Sequence, residues 1–178
     1  MAPQVLHNVI HGSSNPEPWQ KAMLSFQPAI LHGYRRHRVQ GADYPGIVPV
    51  TENEVNNPAS SASSSARTSV LGTLVSGLTD GDVYRLDLFE GGEYARRNVI
   101  VRKLHNSDGI SGGSGVDESQ LSDVLDAARA DADEGEEVSA VTYVWISGED
   151  RLEEAEWDFE TFKKDKMKWW AGAKESEW

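Results

Sequence analysis

The residues best suited to chemistry lie in one stretch, Tyr84-Arg85-Leu86-Asp87-Leu88-Phe89-Glu90-Gly91-Gly92-Glu93-Tyr94-Ala95-Arg96-Arg97. At helical spacing Leu86 and Phe89 face a core, while Asp87 and Glu90, three apart, share the neighbouring face. A carboxyl group held beside apolar side chains is harder to ionise, and this suits proton transfer near neutral pH. Ordinary charges at a helix end are the competing account of the same spacing.

Other groups with ligand or nucleophile chemistry are scattered. His7 and His11 stand four apart on one helical face, but no third ligand is identifiable, and a partly exposed surface pair is the simpler expectation. Asp131-Ala132-Asp133-Glu134-Gly135 opens like a calcium loop, yet its glycine comes one position early and no Glu stands at the twelfth position, so solvated acidic residues are expected. Ser111-Gly112-Gly113-Ser114-Gly115 has the glycine content of a phosphate cradle without its lysine. Nucleotide-binding, zinc-helix and nucleophile-elbow motifs do not occur. With no cysteine, disulfides, thiolate metal sites and Cys nucleophiles are excluded.

The 178 residues carry 17 Lys plus Arg against 29 Asp plus Glu, a formal charge of −12. Such a chain repels polyanions unless a basic face is segregated, and no basic run of that kind is present, so no nucleic-acid partner is expected. Residues 117–137 hold nine acidic side chains and one Arg, so most of the acidity belongs to one insert. The Arg-rich stretches at 35–38 and 96–102 leave room for an anionic small-molecule substrate. The first thirty residues lack the apolar run of a signal peptide or spanning helix, and the expected setting is cytoplasmic, away from membranes. The length fits a single domain spanning residues 1–178.

Several elements must position the carboxyl groups. Residues 3–11 read as an amphipathic helix with Pro3 in its first turn and Gly12 as its stop. Residues 28–50 read as two extended segments around the turn residues Gly41, Asp43, Pro45 and Gly46. The Ser-rich stretch 56–68 reads as a mobile loop. Residues 69–75 read as a strand, 80–89 as a short helix, 94–104 as a strand, 106–118 as a Gly/Ser loop, 119–134 as an acidic helix and 138–146 as the last strand. Residues 150–174 read as a long closing helix with Leu152, Ala155, Phe159 and Phe162 on one face. Trp145, Trp157, Trp169, Trp170 and Trp178 are expected as packing anchors, with the Trp169-Trp170 pair a candidate partner patch. Short strands without regular strand–helix alternation indicate an α+β fold.

The order of these segments is specific. Ala29-Ile30-Leu31-His32-Gly33-Tyr34-Arg35-Arg36, Tyr44-Pro45-Gly46-Ile47, Val70-x-Gly72-x-Leu74 with Leu78, Leu86-Asp87-x-Phe89-Glu90-x-x-x-Tyr94-x-Arg96 and Ala140-x-x-Tyr143-Val144-Trp145 follow one another, with Trp157 to Phe162 beyond. This series resembles the γ-glutamylcyclotransferase-like, or AIG2-like, family. The resemblance implies a small mixed β-barrel with flanking helices and a long C-terminal helix. It also implies an acyl transfer in which a γ-glutamyl amide is attacked by its own α-amine, releasing 5-oxoproline. It places the catalytic glutamate on Glu90 and candidate substrate-binding positions on Tyr44, Tyr94 and Tyr143, with no metal or organic cofactor. Members begin with a strand leading into Tyr-Gly-Thr-Leu-Met, and Met1 aligns with that last Met. Leu71-Gly72-Thr73-Leu74 echoes the loop but belongs to a later strand. Two origins are open: a start at an internal Met, or a protein that lacks the strand, leaving an edge for another segment or a second chain, as in a homodimer, to cover. Two other functions stay open beside the cyclotransferase: an isomerase or cyclase moving protons on another metabolite, and a non-catalytic binding module.

Overall fold

The computed structural model describes residues 1–50, 68–106, 125 and 132–156. Its described residues include two antiparallel sheets and three α-helices. In chain order, helices α1 (Pro3–His11) and α2 (Pro18–Ala22) precede strands β1 (Ser25–His32), β2 (Tyr34–Val39), β3 (Pro45–Pro49) and β4 (Ser69–Ser76). Helix α3 (Asp80–Glu90) leads through a 3₁₀ turn, Gly91–Glu93, into β5 (Tyr94–Asn106). Strand β6 (Ala132–Trp145), a second 3₁₀ turn at Glu149–Arg151 and β7 (Leu152–Glu156) follow. One sheet runs β4-β1-β5-β6 and the other β3-β2-β7.

The α+β class stands as expected, with two corrections to the barrel. Among the described residues the pairings are all antiparallel rather than mixed, and the two sheets do not close into a barrel. Strand β5 pairs with β6 along its length, from Tyr94↔Trp145 to Asn106↔Ala132, but with β1 only at Lys103 and Arg102. Along residues 94–101 no described strand pairs with its other edge.

Two apolar clusters cover the two faces of the larger sheet. Leu6, Val9 and Ile10 of α1 and Leu86 of α3 pack on Phe26, with Val75, Phe89, Tyr143 and Leu125 around them. On the opposite face Ala29, Leu31, Val99 and Val101 meet Tyr34 and Ile47 of the smaller sheet. The period-2 alternation of β1 puts Phe26 and Ala29 on opposite faces, so one strand serves both clusters. Burying each such side chain contributes about 1.5–3 kcal/mol.

Three sequence expectations change at element ends. The closing helix expected from residue 150 begins instead as a 3₁₀ turn and a strand, because Leu152 and Glu156 pair with Val39 and His37. The rest of that helix, with Trp157, Trp169, Trp170 and Trp178, lies outside the described residues, as do the loop at 56–67 and Ser111 to Gly115. The acidic helix expected to residue 134 gives way by Ala132, where β6 starts six residues before its predicted beginning. Glu134, Glu136 and Glu137 are therefore strand residues, bridged to Arg102, Lys103 and His32 rather than merely solvated.

Candidate functional site

Glu90 is the last residue of α3. The helix begins at Thr79, whose side chain accepts from the Asp82 amide while Asp82 accepts from the Thr79 amide, a reciprocal cap that fixes the first turn. It ends at Gly91, where φ is +67° and ψ −166°, a backbone conformation open essentially to glycine alone. That turn sends the chain from the helix into β5 within three residues, so Glu90 and Tyr94 stand close by construction. Leu86 is buried on the inner face of α3, and the Glu90 carboxyl follows it there, half-buried.

Burial pushes the Glu90 carboxyl up to about 7, partly offset by the Met1 amino group nearby. Among the described residues no hydrogen bond or ion pair holds this carboxylate, so its desolvation is only partly offset. The Met1 amine is itself lowered, first by burial and then by Arg36 of β2, with Glu90 acting the other way. Arg36 also donates to the Leu71 carbonyl at 2.9 Å.

Of the three sequence-predicted tyrosines, Tyr94 of β5 and Tyr143 of β6 feel the Glu90 charge, and Tyr44, just before β3, packs beside Tyr94. The Tyr94 ring lies edge-on to Trp145, with centroids 5.3 Å apart, and 6.5 Å from Tyr44. Its hydroxyl donates to the Pro45 carbonyl at 2.8 Å. Tyr143 donates to Asp87 Oδ1 at 2.8 Å, and Arg96 Nε lies 3.2 Å from the same oxygen. Tyr44 donates to Glu93 Oε2 at 3.1 Å, and Arg151 pairs with the same carboxylate. All three phenols are held above their ordinary range, first by burial. The charge of Glu90 raises both Tyr94 and Tyr143 further, and the bonds to Glu93 and Asp87 raise Tyr44 and Tyr143.

Trp145 backs the Tyr94 ring. Trp145 is buried, donates to the Gly148 carbonyl at 2.8 Å and carries the Arg151 guanidinium 5.2 Å over its ring. Gly46 makes room for it: a Cβ there would sit 3.0 Å from Trp145 Cβ. Glu93, Arg151 and the Pro45 carbonyl escaped the sequence reading. Glu93 could have been noticed one helical turn beyond Glu90, whereas nothing in the sequence ties Arg151 to it.

The histidine pair lies elsewhere. His7 and His11 stack at 5.4 Å, with Phe26 edge-on to His7 at 6.0 Å. His7 is buried rather than partly exposed, because α1 lies flat on the sheet. His11 Nε2 is buried with no hydrogen-bond partner among the described residues, and burial followed by the neighbouring His7 lowers its pKa. Among the described residues no third potential ligand completes a metal cluster, and no helix is long and apolar enough to cross a membrane.

A family model described as gamma-glutamyl cyclotransferase, AIG2-like, matches residues 7–112. Among curated relatives, Protein AIG2 C of Arabidopsis thaliana is 28% identical over 88% of this chain and 72% of its own length. AIG2-like protein B of the same organism is 30% identical over 92% of this chain and 73% of its length. Two solution structures of Arabidopsis thaliana proteins, 22% and 25% identical, align over 92% and 91% of this chain and 67% and 73% of theirs, with TM-scores of 0.48 and 0.47.

Proposed function

Because the chain belongs to the gamma-glutamyl cyclotransferase, AIG2-like family, we propose that it releases 5-oxoproline from a γ-glutamyl amine or peptide, with Glu90 as the general acid/base. The observation that carries this reading is the half-buried Glu90 carboxyl, pushed up to about 7 and held by no ion pair among the described residues. A group poised there is ionised often enough to take a proton and acidic enough to return it.

The steps balance without any cofactor. Glu90 takes one proton from the α-ammonium group of the glutamyl unit. The neutral nitrogen attacks the γ-carbonyl carbon, closing a five-membered lactam ring. The ring nitrogen gives up a second proton through Glu90 as the bond from that carbon to the amide nitrogen breaks, and the two protons leave on the departing amine as its ammonium. Tying the nucleophile and the carbonyl into one molecule removes the entropic cost of a bimolecular encounter. Burial disfavours the charged form of a bound ammonium and so favours the neutral, nucleophilic one. Tyr44, Tyr94 and Tyr143 serve as substrate-binding residues around the same carboxyl, and the proposed setting is the cytoplasm.

The test is to incubate the protein with γ-glutamyl amines and γ-glutamyl dipeptides and to measure 5-oxoproline, comparing Glu90→Gln. Release by the wild type that falls at least 100-fold in the variant is the expected result. Release unchanged by the substitution removes Glu90 from the mechanism. A folded protein that turns over no γ-glutamyl donor returns the question to proton transfer on another metabolite or to a binding module.

A further inference from the structure

The hydrogen bonds around Glu90 have a common polarity. A phenol has one proton to give, and both the carboxylate of Asp87 and the carbonyl of Pro45 can only accept. Tyr143 and Tyr94, each 2.8 Å from one of these acceptors, must therefore spend their protons on them. What either oxygen still offers is lone pairs. Tyr44 is set the same way by Glu93 at 3.1 Å. Tyr94 and Tyr143, the two phenols that the Glu90 charge reaches, are thus acceptors, although tyrosine in general both donates and accepts.

The geometry points to Asp87 as a positioning residue: by taking the Tyr143 proton it leaves that phenol oxygen an acceptor for a ligand bound at Glu90, selecting a ligand group with several N–H donors, a primary ammonium, over an isosteric alcohol. Arg96, 3.2 Å from the same Asp87 oxygen, holds the carboxylate in place. This deepens the cyclotransferase reading and rests on it, since the amine selected is the one Glu90 deprotonates. After losing one proton that nitrogen keeps two N–H bonds, and two fixed acceptors aim its remaining lone pair at the carbonyl. A Tyr143 free to donate would instead bond the lone pair that has to attack. The polarity matters because an acceptor facing another acceptor in a desolvated site is costly, and a ligand with too few donors incurs that cost.

The test titrates n-propylammonium and n-propanol into ¹⁵N-labelled protein at pH 8 and follows the amide resonances around Glu90. Wild type is expected to bind the ammonium at least tenfold more tightly. Asp87→Leu and Tyr143→Phe are each expected to reduce that preference at least threefold. Asp87→Asn, which removes the charge but keeps an acceptor oxygen for Tyr143, is expected to stay within twofold of wild type. No ammonium preference in wild type, an unchanged preference in Asp87→Leu or in Tyr143→Phe, or a loss in Asp87→Asn equal to that in Asp87→Leu, as charge alone would produce, each overturns the proposal. Thermal unfolding of all variants accompanies the titration, and Tyr143→Phe, which leaves the Asp87–Arg96 pair intact, carries the test if Asp87→Leu does not fold. The 5-oxoproline assay on wild type and Glu90→Gln separates the two readings: ammonium preference without release upholds the wiring and defeats the cyclotransferase, and release without the preference does the reverse.

Discussion

Glu90 is one carboxyl whose burial sets two observable slopes with pH. As a base it acts when ionised, so kcat/KM for a γ-glutamyl amine is expected to rise with pH through about 7 and then level, and a flat profile from pH 5 to 8 contradicts this role. Stability runs the other way. The folded pKa is raised above the ordinary 4.5, so the fold favours the protonated group; that contribution is fully present below pH 4.5 and is lost as pH rises through about 7. Glu90→Gln keeps the neutral shape at every pH. It is expected to be about 1–2 kcal/mol more stable than wild type at pH 8 and equal to it at pH 4, by chemical denaturation, a gain in stability obtained by giving up function. The position and face of Glu90 were legible from its spacing with Leu86 and Phe89. The hydrogen-bonding partners of Asp87 were not, since Tyr143 lies 56 residues away and only the fold brings its hydroxyl within 2.8 Å.

At the scale of elements, α3 and the turn after it decide where that carboxyl stands. Thr79→Ala removes the cap of α3 and is expected to cost about 1 kcal/mol. Gly91→Ala meets no neighbouring atom within 4 Å, so its cost is purely that of the backbone, about 1–3 kcal/mol. Because Glu90 precedes Gly91, that variant is expected to lower turnover as well as the unfolding midpoint, and full activity in a folded Gly91→Ala protein argues against a strained turn positioning the site. Helix α1 carries a separate sensitivity. The lowered pKa of His11, set by burial and then by His7, with Asp82 opposing and Arg85 assisting, makes its neutral form the folded one. That stability is present above pH 6.5 and lost as pH falls below it, so His11→Phe is expected to flatten the decline in urea midpoint between pH 7.5 and 5. Helix periodicity identified α1 and α3 within a residue of their ends. It misassigned residues 152–156, where apolar and acidic residues fit a helix equally well and pairing with β2 chose the strand.

Across the whole molecule, the net charge of −12 is arranged rather than spread. The described part of the acidic stretch runs along β6 beside the basic residues of β5, with Arg102 against Glu134 and Glu137 and Lys103 against Glu136. These pairs are largely exposed, so Arg102→Ala and Lys103→Ala are each expected to change stability by less than about 1 kcal/mol, and less again at high salt. A loss of several kcal/mol in thermal unfolding would make the hairpin ladder a principal support of the fold. By itself the sequence determined the elements whose periodicity is local: helices α1 and α3, with Leu86 and Phe89 on one face and Asp87 and Glu90 on the neighbouring one, and the ordered motifs that mark the family. Only the tertiary structure decided which acceptor each tyrosine hydroxyl reaches, that the sheets stay open among the described residues, and that burial outweighs the Met1 amine at Glu90. These are consequences of strand register and long-range packing, in which a hydroxyl on one strand meets a carboxylate on a distant helix, and no local pattern of residues encodes such a distance.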